Sequence, residues 1–257
     1  MQPGLKRPLD LAMEITRSNP FKISLSEGAD PRVVEAAVKA VNLGIAKIIL
    51  IGNSAKIKER LEQYSCSKPD YIELHDPITS PLKEEFSKSF YNLRKHKGIT
   101  RAEAKKQVAS NLVYAALLVK HGYADGTLSG SVETTSNVVK TALWVIGKAT
   151  NVNTVSSCFL IFPKTYEPMI YADCGLVIEP NESELVDITM AASQTCRALL
   201  KSDPRVALLS FSTKGSANHR NIEKTVGALK KLKALLPDLL IDGELQFDAA
   251  IDSVVGS

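Results

Sequence analysis

The alternation of apolar strands and amphipathic helices near the N-terminus constrains the fold of this chain more than any other feature. Residues 21–25 have the pattern of a strand, and residues 32–43 have a helix pattern that places Val34, Val38 and Val41 on one face. The helix ends at Gly44, and the apolar segment 45–51 is typical of a parallel strand covered by helices on both faces. We therefore predict an α/β fold built on a doubly wound, mainly parallel sheet.

The composition excludes several classes of protein. A formal charge of +4, from 32 basic and 28 acidic residues, is too small to indicate binding to nucleic acid. The four cysteines form no C-x-x-C pair, and with four scattered histidines they predict no metal site. No segment has the pattern of a membrane span or a signal peptide. We therefore expect a cytoplasmic protein with reduced thiols that binds neither nucleic acid nor membrane.

The pattern changes near Lys148, where we place a domain boundary. Two β-rich segments, 154–162 and 168–172, are joined by a Pro-containing turn at 163–166 and predict a β-hairpin. A buried strand is predicted farther along, at 206–211. The sequence thus predicts a first α/β domain at 1–148 and a second α/β domain, with the hairpin, at 149–257.

A loop rich in Gly, Ser and Thr follows the short strand pattern at 124–128 and precedes a helix pattern. Such a loop suits phosphate, because glycines allow close approach, the free N–H groups at a helix start face the anion, and hydroxyls donate. The spacing matches neither of the common nucleotide-binding fingerprints. An ordinary loop with a Thr or Ser cap explains the pattern equally well. A second polar loop, 210–216, follows a strand of the second domain.

The basic cluster 94–97 ends the helix predicted at 82–95 and is followed by Gly98. Basic residues suit the negative end of a helix, and glycine suits the position after it, so helix capping is the simpler interpretation from these residues alone. A Thr and a Glu at positions 100 and 103 form a capping-box pattern. It predicts one long helix from there to residue 120.

Four motifs, in this order, resemble those of bacterial and archaeal phosphate acetyltransferases. They are Tyr91-x-Leu93-Arg94-Lys95-His96-Lys97-Gly98-Ile99-Thr100, Asp125-Gly126-x-x-Ser129-Gly130, and the segments 206–216 and 238–246. Residues 30–33 and 171–175 agree as well. The resemblance therefore runs through nearly the whole chain in the order of the family.

The resemblance implies two α/β domains with mainly parallel sheets covered by helices, like isocitrate and isopropylmalate dehydrogenases, and a cleft between them. It implies a homodimer that converts acetyl-CoA and phosphate reversibly to coenzyme A and acetyl phosphate. Coenzyme A is then a substrate, and no cofactor is expected to be tightly bound. A CoA thiolate attacks the acetyl carbonyl and phosphate leaves, so the protein must hold two anionic partners in line.

The resemblance also assigns roles to side chains. Arg94 is implied to bind phosphate. A second arginine of the family aligns with Lys140, whose point charge lacks the bidentate fork of a guanidinium. The residues implied to line the acyl-phosphate side are Ser129, Gly130, Thr134, Thr135 and Ser136, and those implied on the opposite wall of the cleft are Ser210, Ser212, Thr213, Lys214 and Gly215. Each hydroxyl is equally compatible with a helix cap.

The chain departs from the family pattern after the segment 242–244. The family continues into a closing segment that carries a Ser-Arg pair and an aspartate tied to catalysis, and residues 253–257 do not match it. On this comparison both domains are truncated and the catalytic residues are unknown, and we expect weak or no activity. Three alternatives stay open: a phosphate butyryltransferase, a non-catalytic acyl-CoA-binding module like the C-terminal domain of some malic enzymes, and a decayed fragment.

Overall fold

The computed structural model describes residues 8–150, 152–164 and 166–256, except the side chains of Pro8, Leu9, Leu11 and Ala12. Thr165, in the predicted hairpin turn, lies outside the described residues. The chain forms two compact units, Met1–Gly147 and Lys148–Ser257. Both units combine strands with helices, which confirms the predicted α/β class. Within the described ranges, no helix is long and apolar enough to cross a membrane.

The first unit contains a four-stranded, fully parallel sheet. Its strands are β1 (Phe21–Leu25), β2 (Ala46–Ile51), β3 (Ile72–His75) and β4 (Gly126–Leu128). Their order in the sheet is β3-β2-β1-β4. Its helices are α1 (Pro8–Ser18), α2 (Pro31–Asn42), α3 (Ser54–Leu61), α4 (Lys83–Arg94), α5 (Arg101–Val108), α6 (Asn111–Lys120) and α7 (Thr135–Val145).

Helices cover both faces of this sheet, which confirms the doubly wound arrangement. Along β2, Ile48 and Leu50 pack into one core with residues of α2 and α3. The alternate residues Ile49 and Ile51 pack into a second core with residues of α4, α5, α6 and α7. All four side chains are at most 3% exposed. This burial explains why the sequence of β2 is continuously apolar, because neither face of the strand meets water.

Several predicted helix ends are confirmed by their hydrogen bonds. The Asp30 carboxylate caps α2 by accepting the N–H of Arg32 at 2.9 Å. Thr100 and Glu103 form the predicted capping box at the start of α5. Gly44 follows α2 with a φ of +69°, a left-handed conformation that glycine adopts without steric cost.

The prediction of one helix from residue 100 to residue 120 is wrong. The backbone of Ser110 is extended and separates α5 from α6. Only Ala104 and Val108 of α5 are buried, whereas α6 is buried from Leu112 to Leu118. The polar α5 must keep most of its surface in solvent, whereas the almost wholly apolar α6 must be surrounded by the core. The break at Ser110 lets the chain change direction between the two helices.

The second unit consists of a hairpin and a small two-stranded parallel sheet with helices. The hairpin pairs β5 (Cys158–Ile161) antiparallel to β6 (Met169–Ala172), as the sequence predicts. The remaining elements are α8 (Glu182–Leu200), β7 (Arg205–Leu209), α9 (Arg220–Leu235), β8 (Leu240–Leu245) and α10 (Phe247–Ile251). Strands β7 and β8 pair to form the parallel sheet.

The prediction of a buried strand at 206–211 is wrong in two respects, since β7 ends at Leu209 and two of the six side chains are exposed. Leu208 packs into the core of the second unit with residues of α8, α9 and β8. Leu209 and Phe211 are 51% and 57% exposed. Successive side chains of a strand point to opposite faces, so Leu208 lies on the covered face of β7 and Leu209 on the face that is more open to solvent.

Candidate functional site

Two cations predicted to bind phosphate meet at one aromatic ring in the first unit. Arg94 is the last residue of α4, and its Cζ lies 4.8 Å from the ring centroid of Trp144. Lys140 lies one turn before Trp144 on α7, and its Nζ lies 4.9 Å from the same centroid. Both cations are attracted to the negative face of the indole, which keeps two positive groups close together in spite of their repulsion.

Two cavities lie beside this ring. The larger, of about 300 Å³, is lined by Arg94 and Trp144 together with Phe90, Lys97, Gly98, Ile99, Glu103 and Gln107. The smaller, of about 170 Å³, is lined by Lys140 and Trp144 together with Gln107, Ser110, Leu112, Val113, Glu133, Asn137 and Thr141. Trp144 and Gln107 line both cavities. Each cavity therefore has one of the two cations in its wall.

The acidic groups in these walls are engaged in other contacts. The Glu103 carboxylate accepts the N–H and the hydroxyl of Thr100, both at 2.7 Å. These hydrogen bonds, the backbone one first, lower the pKa of Glu103. The Glu133 carboxylate accepts the side-chain amide of Asn137 at 3.0 Å. Among the residues that the structure describes, neither Arg94 nor Lys140 forms an ion pair with an acidic side chain, so both cations remain available to an anionic ligand.

The backbone N–H groups of the Ser-Gly loop are already occupied by a carboxylate. Glu27 Oε2 accepts the N–H groups of Gly130 and Ser131 at 3.0 and 2.9 Å. Its Oε1 accepts those of Val132 and Glu133 at 2.8 and 2.7 Å. Burial raises the pKa of Glu27, but these four hydrogen bonds together outweigh it and lower the pKa. Contrary to the expectation from sequence, these donors are not free for a phosphate.

The other predicted residues of this loop and of α7 differ in whether their hydroxyls are already engaged in hydrogen bonds within the protein. Thr134 is the N-cap of α7, and its hydroxyl accepts the N–H of Asn137 at 3.2 Å, as the ordinary-loop interpretation predicts. The Ser129 hydroxyl accepts a hydrogen bond of 2.8 Å from the buried Ser26. Thr135 and Ser136 are exposed in the first turn of α7.

In the second unit, the predicted loop after β7 is tied to Glu244. Ser212 is fully buried, and its hydroxyl donates to Glu244 Oε1 at 3.1 Å. The N–H of Gly215 donates to the same oxygen at 2.6 Å and is the main reason that the pKa of Glu244 is lowered. Lys214 forms an ion pair with Asp242 and lowers the pKa of that carboxyl.

Two further hydroxyls of this loop are engaged by the backbone. The Thr213 hydroxyl accepts the N–H of Gln246 at 2.8 Å, and the Ser210 hydroxyl accepts the N–H of Ser212 at 3.4 Å. Neither oxygen is fully saturated, because a hydroxyl can both donate and accept. The loop is thus a turn closed by its own hydrogen bonds, in which the Ser212 hydroxyl is buried against Glu244 while Ser210 and Thr213 keep hydrogen-bonding capacity.

A third loop is organised by Asp173, which sequence reasoning placed in a motif without a role. Its carboxylate accepts the N–H and the hydroxyl of Ser157, both at 2.8 Å, and the N–H groups of Gly175 and Leu176 at 2.6 and 2.8 Å. Burial raises the pKa of Asp173, but these hydrogen bonds outweigh it and lower the pKa to about 2. An Asp two residues before a Gly is a turn signal that could have indicated this contact.

Trp144 is the most important residue of the site that sequence reasoning missed. It is the single tryptophan of the chain and is half-buried. Its position four residues after Lys140 was visible in the sequence and indicates a contact between the two side chains within one helix. Its contact with Arg94 joins α4 to α7 and could not be deduced from local sequence.

The first comparison concerns related sequences. Residues 9–257 match the family described as phosphate acetyl/butaryl transferase. The chain is 39% identical over 244 residues to the phosphate acetyltransferase of Thermoanaerobacterium thermosaccharolyticum, and the alignment covers 93% of this chain and 74% of that protein. It is 38% identical over 249 residues to the phosphate acetyltransferase of Clostridium acetobutylicum, covering 95% and 74%.

Solved structures of similar fold give the same assignment. The EutD phosphotransacetylase from Staphylococcus aureus superposes with a TM-score of 0.84 at 33% identity, over 97% of this chain and 76% of that one. A phosphotransacetylase from Streptococcus pyogenes superposes with a TM-score of 0.88 at 32% identity, over 97% and 75%. With a family match that spans residues 9–257, these likenesses confirm the resemblance seen in the motifs: the chain belongs to the phosphate acetyl/butaryl transferase family.

Proposed function

We propose that this chain is a phosphate acetyltransferase, which converts acetyl-CoA and phosphate reversibly to CoA and acetyl phosphate. The observation that carries the proposal is the meeting of Arg94 and Lys140 at Trp144, beside two cavities. Every substrate and product of this reaction, namely acetyl-CoA, phosphate, CoA and acetyl phosphate, carries negatively charged phosphate. Two cations at one aromatic ring, neither of them in an ion pair within the described part of the chain, supply the attraction that such ligands need.

The chemistry places few demands on the protein beyond position and charge. The CoA thiol gives up its proton, sulfur forms a bond to the carbonyl carbon, the bond from that carbon to the phosphate oxygen breaks, and the released phosphate takes up one proton. Held cations lower the barrier by attracting the phosphate as it leaves and by fixing it in line with sulfur. Arg94 presents a planar fork to two phosphate oxygens, and Lys140 contributes a point charge.

We assign supporting roles to exposed hydroxyls. Ser129, Thr135 and Ser136 lie at the loop before α7 and in its first turn, and we propose that they donate to phosphoryl oxygens. In the second unit, Ser210 and Thr213 keep hydrogen-bonding capacity, and we propose that they contact substrate. Thr134, Gly130, Gly215 and Lys214 support these hydroxyls through the caps and contacts described above.

The proposal is tested by thioester formation from acetyl phosphate and CoA, followed by ultraviolet absorbance on the purified chain. Acetyl phosphate should react faster than butyryl phosphate. Arg94→Ala should lower kcat/KM by about 100-fold, because the phosphate loses a charged hydrogen-bonding partner. Arg94→Lys should recover only part of this loss, since it restores the charge without the fork. Tight CoA binding with no thioester formation would contradict the proposal and favour a binding module.

We further propose that the chain is a cytoplasmic homodimer. The family resemblance supports the dimer, and the four cysteines, all free in the structure, are consistent with a reducing compartment. Light scattering during size-exclusion chromatography measures the mass in solution, and a value close to that of one 27.9 kDa chain would contradict the dimer. Fractionation of cells tests the compartment.

A further inference from the structure

Glu27 fills an anion-binding cradle made by four successive backbone N–H groups. The cradle consists of Gly130, Ser131, Val132 and Glu133, which follow β4 and precede α7. A carboxylate offers about four lone-pair sites, and Glu27 uses each of its two oxygens for two of these N–H groups. Gly130 has a φ of +113°, which glycine adopts far more readily than other residues. The loop conformation is thus shaped around one saturated anion.

Two other contacts join the same pair of loops. Arg32 donates from its guanidinium to the carbonyl of Ser131 at 2.9 Å. Asp30 orients Arg32 by accepting two hydrogen bonds from it, at 3.0 and 2.8 Å. Ser26, which is 1% exposed, donates its hydroxyl to Ser129. The loop between β1 and α2 therefore holds the loop between β4 and α7 along its length.

We infer that Glu27 is a positioning residue that fixes the Ser129 hydroxyl and the start of α7 through the cradle. This inference rests on the proposed function and identifies Glu27 as the residue that fixes the substrate-binding loop between β4 and α7. Its chemical consequence is that the phosphoryl group of the substrate is bound by hydroxyls and side-chain cations. The cradle itself is closed to phosphate, because a second anion there would have to displace a carboxylate with four charge-assisted hydrogen bonds.

The same geometry explains why other side chains cannot replace Glu27. Glutamine has one acceptor oxygen, and its NH₂ group would face two N–H groups of the cradle. Alanine would leave all four donors to water, which does not link the cradle to the neighbouring loop. A small free carboxylate, in contrast, has the charge and the lone pairs that the alanine variant lacks.

The test compares wild type with Glu27→Ala, Glu27→Gln and Glu35→Gln. Glu35 is the matched control, since it is a glutamate of the nearby α2 that forms an exposed ion pair with Lys39. We expect Glu27→Ala to lower kcat/KM for acetyl phosphate at least about tenfold, as displaced positioning groups do. Added formate should restore part of the activity of Glu27→Ala and none of that of Glu27→Gln, whose side chain fills the site. Glu35→Gln should match wild type.

Two results would overturn the inference. One is a folded Glu27→Ala variant with wild-type kcat/KM. The other is tighter inhibition of Glu27→Ala by inorganic phosphate without rescue by formate, which would show that the carboxylate only blocks a phosphate site. Melting temperatures establish that each variant is folded. Glu27→Gln preserves the size of the side chain, so it separates loss of the carboxylate from the loss of volume in Glu27→Ala.

A separate measurement keeps the inference testable if the chain has no acetyltransferase activity. Hydrogen exchange of the amides at 130–133 should be slow in wild type and about tenfold or more faster in Glu27→Ala, since each amide loses its acceptor. Equal exchange in the two proteins would overturn the role of Glu27. Absence of thioester formation with slow exchange in wild type would contradict the proposed function alone.

Discussion

Replacing Trp144 by leucine tests whether the indole holds two cations ready for an anion. Arg94 and Lys140 lie 4.8 and 4.9 Å from the ring centroid, and each contact of this kind contributes about 0.5–1 kcal/mol where solvent is present. Without the ring, the side chain that carries each cation is more mobile in the free protein. It then loses more conformational entropy when it binds a ligand, and this cost weakens binding. For both cations together we expect about 1–2 kcal/mol, or roughly 5- to 30-fold weaker binding of phosphate and CoA.

The assay is the KM for phosphate and for CoA in the wild-type chain and in three variants. Trp144→Phe keeps an aromatic face, so its KM values should rise less than those of Trp144→Leu. Tyr71→Leu is the matched control, because Lys47 and Lys68 lie 5.4 and 5.3 Å from that ring, on the other side of the sheet. It removes an aromatic ring with two cations and should leave both KM values unchanged.

Two outcomes would refute this reasoning about Trp144. A folded Trp144→Leu variant with wild-type KM for both substrates would show that the indole does not prepare the cations. An equal loss in Trp144→Phe and Trp144→Leu would assign the effect to packing of the indole against the core rather than to its aromatic face. Melting temperatures separate either result from a loss of fold, since Trp144 packs against the main core of the first unit.

Three further predictions concern single side chains. Lys140→Arg should raise kcat/KM for acetyl phosphate by about 3- to 10-fold, because it introduces a bidentate fork, and Lys140→Met should lower it. We expect the depressed pKa of Asp173 to stabilise the second unit by up to about 2 kcal/mol above pH 4 and this contribution to be lost as the pH falls from about 4 to about 2. Urea unfolding followed by circular dichroism should show this loss in wild type and not in Asp173→Asn. Ser212→Ala should destabilise the chain by about 1–2 kcal/mol, since the Glu244 carboxylate loses a buried donor, while the KM values stay unchanged.

Local signals in the sequence were sufficient for most of the first unit. The cap at Asp30, the end of α2 at Gly44 and the two-sided burial of β2 each depend on residues close together in the chain. The break at Ser110 was missed because a capping box predicts where a helix starts and not where it stops. The exposed face of β7 was missed because apolar composition alone does not reveal how many strands or helices cover a sheet.

The site was less predictable, because its contacts connect distant parts of the chain. Arg94 and Lys140 were found through a family resemblance, and no local pattern indicated that Trp144 lies beside both. Glu27 is more than 100 positions from the cradle that it fills, with a separation of 103 residues for the bond to Gly130. A loop rich in N–H donors looks the same in sequence whether a ligand or an internal carboxylate satisfies it.

The saturation of Glu27 also bears on which group removes the proton from the CoA thiol. A general base needs a free lone pair and a proton affinity suited to the working pH. Glu27 has given its acceptor sites to four amides, which lower its pKa and make it a poor proton acceptor at neutral pH. Asp173, with four donors and a pKa of about 2, is unsuitable for the same reason. Neither carboxylate is therefore suited to activate the thiol, and nearby cations could assist instead by lowering the pKa of the thiol itself.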